Sequence, residues 1–291
     1  MQKLKILTDS ASDITEEIAA KYDVEIIGFP ISIDERNYRE GKDINREEFY
    51  QVMDNSKDFP ATAQITFIEF KEIYQRAYTE GYTDLIYVSI SSTGSSTYNN
   101  SIMARDEFYS ENEDAKLKLK IHLIDSKNYS ACYGYPVIQA AIKDQRGVPV
   151  EEIIAYLEEW FDCVEVHFAP YTLKYLKRSG RVSAVAAFAG EVLGLRPLIN
   201  IIDGVSNVTE KIRGDKNIIP KLLQVVGKRM IPQTPYVILA GSMDEVADEM
   251  VKEATKKFGY APEFVCKVGA TVCSHAGHKL IGIVIRGNKR D

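Results

Sequence analysis

The clearest indication of the fold is the stretch Asp84-Leu-Ile-Tyr-Val-Ser-Ile-Ser-Ser-Thr-Gly-Ser-Ser-Thr97. Its first half, Asp84–Ile90, is a nearly continuous apolar run, which is typical of a strand buried on both faces of a sheet. Its second half is a cluster of hydroxyl residues around Gly94, and helical spacing follows from about Thr97 to Tyr109. A strand that leads through small polar residues into a helix is one βα unit, so the stretch predicts parallel strands joined by helices.

The same alternation fills the first half of the chain on either side of this unit. Thr15-Glu16-Glu17 opens an amphipathic helix, for which Ser12-Asp13 offers an N-cap. Further strands are predicted at Lys5–Leu7, Val24–Pro30 and Ile121–Ile124, and further helices at Glu47–Met53, Thr66–Glu80, Ala131–Lys143 and Glu151–Phe161. This order of elements favours βαβ crossovers and a parallel sheet.

Composition and pattern change near residue 163, where we place a domain boundary. We therefore expect an N-terminal parallel-sheet α/β domain over residues 1–163 and a smaller C-terminal α/β domain over residues 164–291. In the second domain, strands are predicted at Val164–Phe168, Leu198–Ile202, Tyr236–Ala240, Phe264–Val268 and Leu280–Arg286, and helices at Tyr171–Arg178, Val182–Leu195, Ile218–Met230 and Asp244–Phe258.

The composition excludes several classes of protein. The chain has 291 residues, of which 45% are hydrophobic, and this suffices for a core without metal or disulfide staples. A net charge of −6 gives no positive field for nucleic acid, and no apolar run is long enough for stable membrane insertion. The four cysteines form no C-x-x-C pair, which favours free thiols in a reducing, cytoplasmic environment.

Small polar residues collect where several predicted strands end. The clusters are Thr8-Asp9-Ser10, Ser91–Thr97, Asp125-Ser126 and the loop Pro60-Ala-Thr-Ala-Gln64. In doubly wound sheets a ligand lies outside the carboxyl ends of the strands, and the start of a helix favours an anion. Each cluster is equally typical of turns and helix caps, but together they indicate a site at one edge of the sheet.

Motifs for catalysis and for cofactors are weak or absent. Gly94-Ser95-Ser96-Thr97-Tyr98 lacks the closing glycine of a hydrolase elbow. His275 lies in a small-residue loop, Thr271–Gly277, from which it could reach a ligand, whereas His122 and His167 fit core or surface positions. A hydrolase built on Ser95 and His275 remains open, although no third partner is evident. No Walker A, H-E-x-x-H or G-x-G-x-x-G stretch occurs, so we expect neither metal nor nucleotide cofactor.

Taken in order, these clusters resemble the motifs of the DegV family of bacterial lipid-binding proteins. The matching stretches are Thr8-Asp-Ser-Ala-Ser-Asp13, Asn37-Tyr-Arg-Glu-Gly-Lys-Asp-Ile44, Pro60-Ala-Thr-Ala-Gln64, Ser89–Tyr98, Asp125–Gly134, Tyr175-Leu-Lys-Arg-Ser-Gly-Arg181, Leu195-Arg-Pro-Leu198 and Gly204–Gly214. The chain departs from the family pattern at Ala63, at Ser96 and at Gly277-His-Lys279, where serine, glycine and G-P-G are usual. The resemblance covers nearly the whole chain.

The resemblance implies a long-chain fatty acid buried between two α/β domains, with no catalysis by this chain itself. Its carboxylate would be held by Thr62, Ser95 and His275, and Ser92 and Ser96 are additional candidates for head-group contacts. An ATP-dependent fatty acid kinase subunit would then phosphorylate the presented acid. Arg181 and Arg213 match arginines of the family, and the resemblance assigns them to the kinase-facing surface.

Two further questions stay open at the level of sequence. The segment Val182–Leu195 is rich in alanine and glycine, so it is either a wall of the acyl tunnel or an ordinary core helix. The function has two alternatives: a serine hydrolase or acyltransferase that uses Ser95 and His275, and a regulatory binding protein for another small amphiphile.

Overall fold

The computed structural model describes residues 2–186 and 194–290. Strands β1 to β13 are, in chain order, Leu4–Asp9, Val24–Ile27, Pro30–Ile33, Arg36–Arg39, Ala61–Thr62, Asp84–Ser89, Lys120–Asp125, Val164–Pro170, Leu195–Ile202, Val205–Arg213, Val237–Ala240, Val265–Lys267 and Leu280–Arg286. Helices α1 to α12 are Glu16–Tyr22, Arg46–Asn55, Phe67–Thr79, Thr97–Glu111, Ala115–Lys118, Ala131–Gln145, Val150–Phe161, Lys174–Ser179, Ser183–Ala186, Ile218–Val226, Asp244–Phe258 and Ala270–Ala276. Short 3-10 turns occupy Ser10–Ser12 and Asp215–Asn217.

The N-terminal domain is built on a parallel sheet with strand order β2-β1-β6-β7. Thr8 pairs with Val88 of β6, and Val88 pairs in turn with Ile124 of β7. All neighbouring strands run in the same direction, so their carboxyl ends lie at one edge, as the sequence predicted. Three of the four polar clusters therefore follow β1, β6 and β7 at this edge, whereas the fourth, Pro60–Gln64, contains β5 of a separate sheet.

Asp9 ties the carboxyl edge of this sheet together. Its buried carboxylate accepts hydrogen bonds from the Tyr87 hydroxyl at 3.0 Å, the Tyr133 hydroxyl at 2.6 Å and the Ile90 amide at 2.9 Å. Burial raises the pKa of Asp9 to about 6, although these donors favour the carboxylate form. The residue thus joins β1, β6 and α6 through one carboxylate.

A second, small antiparallel sheet has the strand order β4-β3-β5. Its strand β3 includes the end of a segment that was predicted to form one continuous strand. The expected strand Val24–Pro30 is wrong as a single element, because β2 ends at Ile27 and β3 begins at Pro30. A Cβ at Gly28 would overlap the backbone oxygen of Glu40, so the chain approaches its neighbour there more closely than other residues allow. In the same domain Thr15 caps α1 in place of the predicted Ser12-Asp13.

The C-terminal domain has a mixed six-stranded sheet with the order β10-β9-β8-β13-β11-β12, in which only β11 and β12 run parallel. Side chains alternate between its faces. Val166, Phe168 and Val284 belong to the core that is shared with the N-terminal domain, whereas Ile281 and Ile283 pack into a separate outer core. This alternation gives the sheet one face towards the parallel sheet and one towards α10 and α11.

The fold class is confirmed: a parallel-sheet N-terminal domain is followed by a second α/β domain. The boundary at residue 163 stays a prediction. Of the predicted helix Val182–Leu195, Ser183–Ala186 is helical, residues 187–193 lie outside the described residues, and Leu195 already belongs to β9. The sequence also gave no sign of β10, whose exposed polar residues alternate with few apolar ones.

The segment that carries His275 is a helix, so the predicted small-residue loop Thr271–Gly277 is wrong. Helix α12 has only seven residues and begins after Gly269. A helix this short gains little from propensity alone, and its formation here depends on contacts from elsewhere in the chain. Among the described residues, no helix is both long and apolar enough to cross a lipid bilayer.

Replacing Asp9 by alanine should destabilise the protein strongly. The substitution leaves two buried tyrosine hydroxyls and one amide without their acceptor, which should cost at least ~3 kcal/mol in the free energy of unfolding. Asp106→Ala is a suitable control, because Asp106 is exposed and pairs only with neighbouring Arg105 at the surface. Urea denaturation of both variants measures the difference, and similar stabilities would contradict this role for Asp9.

Candidate head-group site and cavity

A cavity of about 700 Å³ lies between the two domains. This volume is within the range of pockets that enclose small molecules, roughly 300–1,000 Å³. Both domains contribute to its apolar wall, which consists of Phe29, Ile90, Val166, Phe168, Leu176, Val182, Ile201, Leu239, Val268, Val272, Ala276 and Leu280. The cavity therefore offers apolar contacts from both domains to a ligand of this size.

Polar side chains line the remainder of the cavity. Of the residues that the sequence singled out, the lining includes Thr62, Ser92, Ser95, Ser96, Arg181 and His275. Arg213 does not line it and lies exposed near the end of β10. The structure thus brings together residues that are more than 200 positions apart in the chain, but it separates the two arginines.

His275 and Thr62 form the centre of this polar region. The Nε2 atom of His275 lies 2.9 Å from the Thr62 hydroxyl, which is carried by β5. Burial, together with the nearby positive charge of Arg181, lowers the pKa of His275 to about 4. The imidazole is therefore neutral at pH 7, and it presents one N–H donor and one acceptor nitrogen.

Ser95 belongs to a loop that is tied to the same region. Its hydroxyl lies 2.9 Å from the Thr97 hydroxyl, and Thr97 in turn accepts a hydrogen bond from the Ile65 amide at 3.2 Å. The amides of Gly94 and Ser95 already donate to the Ser91 carbonyl, at 2.9 and 3.2 Å. The loop is therefore preorganised, and its hydroxyl groups are its main means of contacting a ligand.

The other polar clusters hold the scaffold together. Both Ser92 polar groups donate to Asp125, the amide at 3.1 Å and the hydroxyl at 2.5 Å. Thr8 donates to the Val88 carbonyl at 2.9 Å, and Ser10 accepts from the Phe29 amide at 2.9 Å. Two of the predicted clusters, the loops around Thr62 and Ser95, contribute hydroxyl groups to the cavity lining, and that they form a ligand site stays a prediction.

The geometry does not resemble a nucleophile with its base. Among the hydrogen bonds of the described residues, His275 pairs with Thr62 and Ser95 pairs with Thr97, and none joins Ser95 to His275. No carboxylate orients the imidazole of His275 in the part of the chain that the structure describes. Nor do three metal-ligating side chains come together anywhere in residues 2–186 and 194–290.

The loop after α12, where the chain departs from the family pattern, is firmly anchored. His278 is buried, and its Nδ1 lies 2.7 Å from the Ser242 hydroxyl while its Nε2 lies 3.0 Å from Asp54. Gly277 has a φ of 77°, and a Cβ there would lie 2.8 Å from the ring of Tyr175. The loop is thus fixed immediately after the site histidine.

Sequence reasoning missed most of the cavity wall. The alternation of Val166 and Phe168 in β8 was visible, but nothing local indicated that their face meets the N-terminal domain. It also missed Asp13 and Glu40 as neighbours of α12, although both belong to stretches that had been singled out as motifs.

Comparison with known proteins identifies relatives over nearly the whole chain. The model of the DegV family of uncharacterised proteins matches residues 3–288. This chain belongs to the DegV family. A DegV domain-containing protein of Clostridium acetobutylicum is 29% identical over 287 residues, which cover 97% of this chain and 98% of that protein.

Solved structures of DegV proteins share the whole fold. A stearic-acid-binding protein of Eubacterium ventriosum is 27% identical, with a TM-score of 0.86 and 98% of both chains covered. A fatty-acid-binding DegV protein of Thermus thermophilus has a TM-score of 0.85 at 23% identity, with 99% of this chain and 100% of the other covered. The second likeness establishes the fold alone.

The lowered pKa of His275 should appear in the stability of this DegV protein. Below about pH 6.5 the unfolded chain binds a proton at this residue that the folded chain does not bind, so stability falls as the pH falls towards 4. Between pH 7.5 and pH 5 the free energy of unfolding should fall by ~2 kcal/mol more in the parent than in His275→Gln. Asp9 and Asp13 titrate in both proteins and cancel in this comparison.

Chemical denaturation at several pH values gives the two profiles. Parallel profiles for the parent and His275→Gln would show that the imidazole titrates normally.

Proposed function

We propose that this DegV protein binds a long-chain fatty acid in the interdomain cavity, with the carboxylate at Thr62, Ser95 and His275. The observation that carries the proposal is the form of the cavity: its wall is apolar, and neutral hydrogen-bonding side chains gather in one part of it. The stearic-acid-binding relative of similar sequence supports the same ligand class.

The hydrocarbon tail would supply most of the affinity. Each methylene that leaves water contributes ~0.8 kcal/mol, so about a dozen of them release on the order of 10 kcal/mol before the costs of ordering are subtracted. Residues of both sheets, such as Ile90 and Phe168, would contact the tail. The tail would thus bury apolar surface of both domains at once.

The head group requires donors, because a carboxylate that leaves water without hydrogen bonds is costly. The hydroxyls of Thr62 and Ser95 and one N–H of neutral His275 can donate to its two oxygens. Arg181 adds a positive charge close enough to affect His275, and it is exposed. These groups would hold the acid by binding alone, without nucleophilic attack.

Presentation to an ATP-dependent kinase subunit is the further part of the proposal. It is supported by the exposure of residues that line the polar part of the cavity, which include Ala63, Gln64, Thr93, Ser96 and Arg181. A carboxylate placed beside them would lie close to the surface, where a partner could reach it. We propose Arg181 as part of the docking surface, together with the more distant Arg213.

Removing one head-group donor should weaken binding without abolishing it. Thr62→Ala and His275→Ala should each reduce the affinity for palmitate or oleate by ~1–3 kcal/mol, because a buried polar group loses its partner. Isothermal calorimetry measures the change. Thr79→Ala is the matched control, since its exposed hydroxyl donates to the Gln75 carbonyl within α3 and does not line the cavity. Unchanged affinity in either head-group variant would remove that residue from the site.

The nature of the ligand can be tested on protein purified from cells. Native mass spectrometry should detect a bound mass that corresponds to a saturated or monounsaturated fatty acid. A different amphiphile would redirect the proposal to a regulatory binding protein. Steady turnover of a long-chain p-nitrophenyl ester that is lost in Ser95→Ala would replace it by a hydrolase.

Arg181→Ala should separate binding from presentation. The apolar tail still fills the cavity, so affinity for the fatty acid should change by less than the ~1–3 kcal/mol expected for the head-group variants. Phosphorylation of the bound acid by the partner kinase should fall, because the exposed arginine no longer meets the partner. Arg178→Ala is the control, since that side chain stacks on Phe59. Normal phosphorylation with Arg181→Ala would contradict the docking role.

A further inference from the structure

Two carboxylates of the N-terminal domain bind the first turn of α12, which belongs to the C-terminal domain. Glu40 accepts hydrogen bonds from the Ala270 amide, from the Thr271 amide at 3.2 Å and from the Thr271 hydroxyl at 2.6 Å. Asp13 accepts from the Gly269 amide at 2.8 Å. Three of the amides at the start of this helix, those of Gly269, Ala270 and Thr271, are thus satisfied from the other domain.

The same small sheet contacts both ends of α12. Strand β4 leads directly into Glu40, β3 pairs with β4, and Thr62 of β5 pairs with Ile31 of β3. Glu40 therefore holds the beginning of the helix, while Thr62 meets His275 in its last turn. Seven helical residues span only about 10 Å, so a shift at one end is transmitted to the other.

The contact between the two carboxylates and the start of α12 is so close that only glycine fits at position 269 without a shift. A Cβ at Gly269 would lie 2.8 Å from the Asp13 carboxylate and would overlap that of Glu40. Both carboxylates also accept a hydrogen bond from a serine hydroxyl of their own domain: Ser10 donates to Glu40 at 2.7 Å, and Ser130 donates to Asp13. They can therefore define where α12 begins.

We propose that Glu40 and Asp13 are positioning residues for the head-group site, which hold α12 so that His275 meets Thr62. The inference rests on the proposed function and deepens it: the residues act through His275 and do not touch the ligand. It also gives a physical role to the stretches Thr8–Asp13 and Asn37–Ile44, which the cavity itself does not use.

Glu40→Gln tests this role, because the amide keeps the size of the side chain but places an NH₂ group among donors. The matched control is Glu165→Gln. Glu165 is also buried, but it pairs with Arg229 at 2.6 Å and with His167 at 2.9 Å, away from α12. Both variants should lose stability. Only Glu40→Gln should also change the position and the pKa of the His275 imidazole.

The first measurement needs no ligand. NMR titration gives the pKa of the His275 imidazole, whose signal is identified by its absence in His275→Gln. In Glu40→Gln this pKa should rise from its low value towards the ordinary ~6.5 as the helix shifts and the ring is exposed. In Glu165→Gln it should stay low. An unchanged pKa in Glu40→Gln would overturn the proposal.

The second measurement is a double-mutant cycle on affinity for palmitate. If Glu40 acts through His275, Glu40→Gln should reduce affinity at least ~threefold more in the parent than in His275→Ala, whereas Glu165→Gln should act equally in both. Additive losses for Glu40→Gln would overturn the positioning role. If palmitate does not bind at all, the proposed function fails, and the titration of His275 still decides the role of Glu40.

Discussion

The amide groups at the start of α12 need acceptors, and they find them across the domain interface. A helix of seven residues has little stability of its own, so it depends on contacts from elsewhere, among them the hydrogen bonds of its first turn to the carboxylates of Asp13 and Glu40. Asp13 and Glu40 lie near each other in a buried region, and burial, followed by the effect of Glu40, raises the pKa of Asp13 to about 7 against the influence of Arg46. The protein thus places two carboxyl groups that are costly to bury in contact with the helix that carries His275.

The cavity follows from the strand period of two. In β8, Val166 and Phe168 face the N-terminal domain. Glu165 and His167 alternate with them along the strand and form a buried polar pair on the other face. One sheet can thereby support an outer core under α10 and α11 and also offer an apolar wall to a ligand. The hydroxyls of Thr62 and Ser95 and the imidazole of His275 are neutral at pH 7, so their burial is less costly than that of an unpaired charge.

Polar residues at strand ends have several physical roles in this fold. Asp9 and Asp125 accept hydrogen bonds from neighbouring strands and loops, and they stabilise the edge of the parallel sheet. The hydroxyls of Thr62 and Ser95 line the cavity instead. Short motifs do not distinguish these roles, because the same residue types serve as turn, cap and ligand contact.

The α/β class and the parallel sheet could be predicted from the amino-acid sequence, because they depend on local periodicity within Asp84–Ile90 and its neighbours. The order of the motifs was enough to indicate the family and to select Thr62, Ser95 and His275 as candidates. The folded structure was needed to show that His275 lies on a helix, that β2 and β3 are separate, and which side chains form the cavity wall. These features arise from contacts between distant segments, such as Glu40 with Thr271, and no local pattern encodes such contacts.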